Sequence, residues 1–283
     1  MMKTIHTLNE LRQVLATERS QGRRIGLVPT MGNLHEGHLA LIDQAKQNSD
    51  VVVCTIFVNP LQFSAGEDLD KYPRTLVEDQ QKLVSKGCNY LFAPPESEVY
   101  PDGRDEQTMV EVPRVSNLYC GASRPGHFQG VATIVCKLFN MVQPDVAVFG
   151  AKDYQQLFVI RKMARDLSLP VEIQGSPIVR NSEGLALSSR NGYLSDQERA
   201  TAILLNKVLN QTCDALRSGE KDFAALCESA QQTLETAGFK RDYFVIARQS
   251  DLTAATPEDT HLVILAAAYL GPARLIDNHT INL

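Results

Sequence analysis

The sequence predicts an α/β fold built on a parallel sheet, followed by a smaller α+β region. Three observations carry this reading. Short apolar runs alternate with longer helical patterns through residues 1–180, the order that produces βαβ units. One of those runs, "VVVCTIFV" (51–58), is apolar almost throughout, as a parallel strand covered on both faces requires. Beyond 180 the order changes to helices followed by strands.

The elements follow in order. The start, "MMKTIHTLNELRQVL", reads as strand then helix and lacks the apolar centre of a signal peptide. "IGLVPT" (25–30), "VVVCTIFV" (51–58), "YLFAP" (90–94) and "VAVFG" (146–150) are the expected strands. Helices are expected at 38–48, at 75–86 ending before Gly87, at 130–142 ending before Pro144, and at 153–167. The polar, glycine-bearing stretch "VRNSEGLALSSRNGYLS" then connects to a helix opened by Ser195, with Glu198 completing a capping box. Helical patterns at 196–217 and 221–237 precede strand-like "YFVIARQ", "THLVILAAAYL" and "ARLIDN". Two domains are expected, at 1–180 and 181–283.

Composition limits the function classes. A chain of 283 residues, 43% of them hydrophobic, can bury a sizeable core. A net charge of −5 offers no electrostatic reason to expect nucleic-acid binding. No apolar run approaches the ~18 residues of a membrane span. The six cysteines are scattered without a C-x-x-C pair, which supports neither a zinc ribbon nor a disulfide framework and fits a cytoplasmic protein with reduced thiols.

Parallel sheets bind ligands outside the carboxyl ends of their strands, so the chemistry is expected in the loops there. "PTMGNLHEGHL" (29–39) joins the first long strand to a helix, and Gly32 supplies freedom for a tight turn. His35 and His38 are three apart and share one face of the first helical turn. There they stand at the positive end of the helix dipole, beside unpaired backbone N–H groups, a location that favours phosphate. Gly37 leaves room for a flat base to approach. A histidine near a helix start is commonly plain surface polarity, and the stretch lacks both the P-loop and the full dinucleotide fingerprint.

"VNPLQF" (58–63) brings Gln62 out near a strand end, since Asn59 before Pro60 is turned away from helix. "GAKDYQQ" (150–156) offers Lys152 for phosphate, whereas Asp153 with Gln156 has the spacing of a capping box. "LALSSRNG" (185–192) holds two hydroxyls and Arg190, an arginine suited to phosphate, although a polar linker would look the same. "SRPGHFQG" (123–130), with Arg124 and His127, reads as a mobile cover for the site.

Taken together, "PTMGNLHEGHL", "FVNPLQF", "RPGHF", "VQPDVAVFGAKDYQQ" and "LALSSRNGYLS" resemble the pantothenate synthetase family in order and spacing, from residue 3 to beyond 200. The resemblance implies a HIGH-type nucleotidyltransferase fold: a Rossmann-like amino domain that binds ATP and pantoate, and a smaller carboxyl domain. It implies a cytoplasmic homodimer that uses Mg²⁺ with ATP to join (R)-pantoate to β-alanine, releasing AMP and pyrophosphate through a pantoyl adenylate. Carried over by motif, Met31, Gly32, Asn33, Leu34, His35, Glu36, Gly37 and His38 line the ATP site, with His38 catalytic and His35 assisting. Gly150, Ala151, Lys152, Asp153, Val179, Leu187, Ser188, Ser189 and Arg190 match further ATP contacts, and Lys152 and Arg190 offset phosphate charge. Gln62 and Gln156 match the glutamines that hold pantoate, Gln62 also lying beside β-alanine. The resemblance names no protein ligand for the metal. Ala151 stands where the family often has Glu, and Gln129 where it often has a basic residue; the second weakens any phosphate grip by the 123–130 loop. The alternatives are a nucleotidyltransferase of the phosphopantetheine adenylyltransferase type and a non-catalytic nucleotide-binding protein.

Overall fold

The computed structural model describes residues 2–64 and 66–283. The chain forms two compact units that interleave in sequence. The first comprises the chain to Asn117, Arg124–Ala151 and Gln156–Pro177; the second comprises Leu118–Ser123, Lys152–Gln155 and Ile178–Leu283.

The first unit is an α/β layer structure, as expected. Its strands are β1 (Lys3–Ile5), β2 (Ile25–Thr30), β3 (Val51–Ile56), β4 (Tyr90–Phe92), β5 (Val146–Gly150) and β6 (Glu172–Ser176). They form one sheet in the order β1-β4-β3-β2-β5-β6, with every pairing parallel. The helices are α1 (Leu8–Ser20), α2 (Glu36–Asn48), α3 (Leu76–Ser85), α4 (Glu96–Val99), α6 (His127–Val142) and most of α7 (Tyr154–Asp166); α5 (Cys120–Ser123) belongs to the second unit. Strand order runs outward in one direction from β2 through β3 to β4, and in the other from β5 to β6. The chain therefore changes direction between β2 and β5, and the crevice at their carboxyl ends is the topological switch point where such sheets take ligands.

Central strands β2 and β3 are buried through their apolar runs, with Leu27, Val28, Val52, Val53 and Cys54 shielded from solvent. Val28, Val52 and Cys54 pack with Leu41, Ile42 and Ala45 of α2 and Leu83 of α3. Strand β6 was not expected from the sequence. Its residues, "EIQGS", are mostly part-buried, and an edge strand with one neighbour does not need the continuous apolar run that marks a central one.

In the second unit α8 (Asp196–Ala202), α9 (Leu204–Arg217) and α10 (Phe223–Thr236) precede an antiparallel meander of β7 (Lys240–Arg248), β8 (His261–Leu270) and β9 (Ala273–Asn282). The Ser195–Glu198 capping box opens α8 as expected. The single helix expected over 196–217 is interrupted at Ile203, where α8 ends and α9 starts. Leu205, Val208, Leu209 and Leu216 of α9 pack with Leu262, Ile264 and Leu275 of the sheet. No helix among the described residues is long and apolar enough to cross a membrane.

Candidate active site

The histidine turn lies directly after β2, at the switch point. Gly32 (φ +85°) and Asn33 (φ +50°) are consecutive left-handed residues that reverse the chain. His35 is the N-cap of α2. Its Nδ1 accepts the Gly37 N–H at 3.1 Å, and Nδ1 of His38 accepts the His35 N–H at 3.4 Å. The two imidazoles thus perform the reciprocal capping usually made by a hydroxyl and a carboxylate, and their ring centroids are 4.1 Å apart. Because each Nδ1 is an acceptor, the neutral rings carry their proton on Nε2. The sequence expectation of paired imidazole donors at a helix start gains a specific tautomer from this geometry.

The second turn follows β3. Asn59 caps a short 3₁₀ turn, Pro60–Gln62, by accepting the Leu61 N–H. Gln62 is buried; its Nε2 donates to the Met31 sulfur at 2.9 Å and its Oε1 accepts from Asn59 Nδ2 at 3.2 Å. Gln62 and the histidine turn are thus joined through Met31. Behind them, the Tyr100 hydroxyl donates to Asn59 Oδ1 at 2.6 Å, and burial together with Glu96 raises the pKa of Tyr100, keeping it a donor. Asn59 Nδ2 also donates to the Gly130 carbonyl.

The 123–130 stretch departs from the expected mobile cover. Helix α6 begins at His127 rather than 130. His127 Nδ1 donates to the Gln62 carbonyl at 2.7 Å, and its other ring nitrogen accepts from Arg124 at 3.0 Å. Arg124 forms a bidentate ion pair with Glu67, both bonds 2.6 Å. These groups pin the Gln62 turn from behind, and the Arg124 charge is already matched by a carboxylate.

Gly150 ends β5 at the same sheet edge, and Gln156 is half-buried near the start of α7. The preceding Gln155 is buried and structural: its Oε1 accepts the Cys120 N–H and its Nε2 donates to the Leu118 carbonyl. That accounts for the Gln155 amide of the "YQQ" stretch.

Ala151–Asp153 form a 3₁₀ turn, of which Lys152 and Asp153 belong to the second unit. The Lys152 ammonium lies 3.8 Å from Asp153, with its side chain 18% exposed, and the Lys152 carbonyl accepts from Asn278. Ser188 caps the turn Ser189–Tyr193, which carries Arg190. The Leu187 N–H donates to the Val179 carbonyl at 2.9 Å, tying these two expected contacts together. Lys152, Ala186, Ser188, Asn191, Asn206 and Asp277 line one small cleft, and the buried Asn191 Oδ1 has no hydrogen-bond partner among the described residues.

Several residues that build the site were not singled out from sequence: Asp79, Lys82, Tyr100 and Gly130. Each lies tens of residues from the motif it supports, so no short-range pattern marks it.

The family model described as pantoate-beta-alanine ligase matches residues 3–280. A pantothenate synthetase from Pseudomonas fluorescens is 60% identical over 282 residues, covering 100% of this chain and 99% of that protein. One from Pseudomonas aeruginosa is 57% identical with 100% of both chains covered. Among solved structures, pantothenate synthetase from Thermus thermophilus superposes with a TM-score of 0.92 at 44% identity, covering 98% of this chain and 99% of that one. Pantoate-beta-alanine ligase from Francisella tularensis, complexed with beta-gamma ATP and beta-alanine, gives 0.83 at 33% identity, covering 99% and 97%. With the match running through nearly every residue and through the fold, the chain belongs to the pantoate–β-alanine ligase family.

Proposed function

We propose that the histidine turn carries the adenylation half of the ligase reaction and that the two glutamines hold pantoate. A carboxylate does not condense with an amine at neutral pH, because its leaving group is too poor. The pantoate carboxylate oxygen therefore attacks the α-phosphorus of ATP, and the bond to the β-phosphate oxygen breaks to expel pyrophosphate. The β-alanine amine then attacks the acyl carbon of pantoyl adenylate, loses a proton, and displaces AMP.

In this reading the His38 and His35 Nε2–H groups, with Lys152 and Arg190, offset charge on the transferring and leaving phosphates. Residues 31–38, 150–153, 179 and 187–190 contact ATP, consistent with the 31–38 turn lying at the switch point and with Lys152 and Ser188 lining one cleft. Gln62 and Gln156 bind the hydroxyls and carboxylate of pantoate. A neutral amide does this without adding a competing nucleophile. Water must be kept from the mixed anhydride meanwhile.

Magnesium enters this reading with the substrate, as MgATP; among the described residues no group of three or more His, Cys, Asp or Glu is arranged to hold a metal. A cytoplasmic homodimer belongs to the same reading. The six free thiols are in keeping with a reducing compartment, and sedimentation tests the dimer.

The observation that carries the proposal is the capping of α2 by the two Nδ1 atoms, which commits both Nε2 atoms to donation. The test is His38→Ala. Pantoate-dependent ATP–pyrophosphate exchange should fall on the order of 10²–10³-fold, the cost of losing one transition-state donor, while the fold survives. Exchange at the native rate would refute the role.

A further inference from the structure

Helix α3 holds the backbone of Leu34 from both sides. The carboxylate of Asp79, fully buried, accepts the Leu34 N–H on Oδ1 at 2.7 Å and the Asn33 N–H on Oδ2 at 2.8 Å. Oδ2 also accepts the Thr75 hydroxyl at 3.1 Å. One helical turn later, Lys82 Nζ donates to the Leu34 carbonyl at 2.6 Å. The next residue in the chain is His35.

The turn needs such a hold. Gly32 and Asn33 both have positive φ, a conformation that glycine and asparagine visit singly but that two residues in succession do not hold without support. Within the turn itself, the Gly32 N–H donates to the Thr30 hydroxyl at 3.2 Å. The fit is close: a Cβ at Gly32 would lie 3.2 Å from Asp79 Oδ2 and 3.1 Å from Ile56 Cγ2. A buried carboxylate satisfied by two backbone N–H groups is a stiff anchor, since charge-assisted bonds are roughly twice as strong as neutral ones.

We propose that Asp79 and Lys82 are positioning residues for adenylation: together they clamp Leu34 and so fix where His35 and His38 stand above the end of β2. The proposal rests on the assignment of those histidines to the adenylation step. Neither residue touches the reacting atoms in this scheme. Both act through the backbone.

The test uses the full-length protein and three variants in parallel. Asp79→Asn is nearly isosteric, but its amide nitrogen must face a backbone N–H, so at most one of the two bonds survives. Lys82→Met keeps the aliphatic stem and removes only the bond to the Leu34 carbonyl. His38→Ala is the reference. Pantoate-dependent ATP–pyrophosphate exchange gives kcat and the KM for ATP, and long-range ¹H–¹⁵N spectra of the imidazoles report which ring nitrogen accepts. The expected result is a kcat loss on the order of 10²-fold for Asp79→Asn and about tenfold for Lys82→Met, the scale of a small misplacement of catalytic groups. The KM for ATP should rise by much less than kcat falls, because the turn's contacts with bound ATP are only loosened whereas the imidazole donors act in the transition state. The His35 and His38 nitrogen signals should shift in both variants.

Folded variants with native kcat, with the loss confined to KM, or with unmoved imidazole signals would overturn the clamp. If Asp79→Asn fails to fold, Lys82→Met decides the question alone. If His38→Ala loses exchange while both clamp variants keep it, the clamp falls and the histidine role stands. If His38→Ala itself exchanges normally, the histidine assignment has failed.

Discussion

Gly130 of α6 lies so close to Leu61 that a Cβ built on it would be 2.1 Å from the Leu61 carbonyl oxygen and 2.7 Å from the Gln62 nitrogen. The missing side chain is what lets a helix pack on the turn that presents Gln62. Asn59 completes the seat by donating to the Gly130 carbonyl. A glutamine proposed to bind pantoate is thus located by a glycine far along the chain.

Gly130→Ala should therefore be costly. The atoms it meets are backbone and cannot rotate away, so overpacking of about 1–3 kcal/mol is expected, with displacement of the Gln62 turn. Denaturant unfolding should show the lost stability, and the KM for pantoate should rise. Native values for both would mean that the close approach is not maintained in solution.

Tyr100→Phe removes the hydroxyl that donates to Asn59 Oδ1 at 2.6 Å. Asn59 Oδ1 keeps its bond from the Leu61 N–H, so the acceptor is not orphaned and the loss should be about 1 kcal/mol. Thermal unfolding measures it. Pantoate affinity should weaken modestly, and a large fall in kcat would argue that Tyr100 does more than brace the turn.

Arg180 pairs with Asp277 through two bonds, of 2.5 and 2.9 Å, and the Asp277 side chain is only 3% exposed. Removing the arginine strands a buried carboxylate. Arg180→Met should destabilise the protein by about 3–5 kcal/mol, and Arg180→Met with Asp277→Leu should recover much of that, because an apolar pair replaces a buried ion pair at little cost. A double variant no more stable than the single one would count against this account.

His279 supplies a pH dependence. Burial lowers its pKa below the ordinary 6.5, Arg180 and Arg217 push the same way, and Asp277 and Asp214 oppose them. Its buried Nδ1 has no hydrogen-bond partner among the described residues. The unfolded chain therefore takes up a proton at this site before the folded chain does. Stability from the neutral ring is fully present above the unfolded value, is lost as pH falls below it, and levels off beneath the folded pKa. Unfolding measured from pH 7.5 down to 5.5 should show this decline, and His279→Gln should flatten it. An unchanged slope in that variant would remove His279 as the cause.

The legible parts of this protein are those whose cause lies within a few residues. The apolar run at 51–58 announced a strand buried on both faces, and β3 is one. Ser195 and Glu198 announced a capping box, and it forms. Edge strand β6 was missed because one-sided burial leaves no apolar run to see. The break at Ile203 was missed because no glycine or proline marks it. For the site, the motifs point to the loops at the strand ends, but arginine, glycine and proline at 123–130 read only as a cover, since they say nothing about Glu67 or the Gln62 carbonyl.

By itself the sequence determined the α/β class, the histidine turn at the end of β2 and the glutamine turn after β3, since alternation, turn residues and helix starts are local physics. Tertiary structure alone decided that Asp79 and Lys82 grip Leu34, that Gly130 seats Gln62, and that both histidines accept through Nδ1. The first two outcomes depend on which distant groups the folded sheet and helices bring within hydrogen-bond reach, and no window along the chain contains both partners of either; the third is local, but residue type alone does not say which ring nitrogen turns back to the helix start.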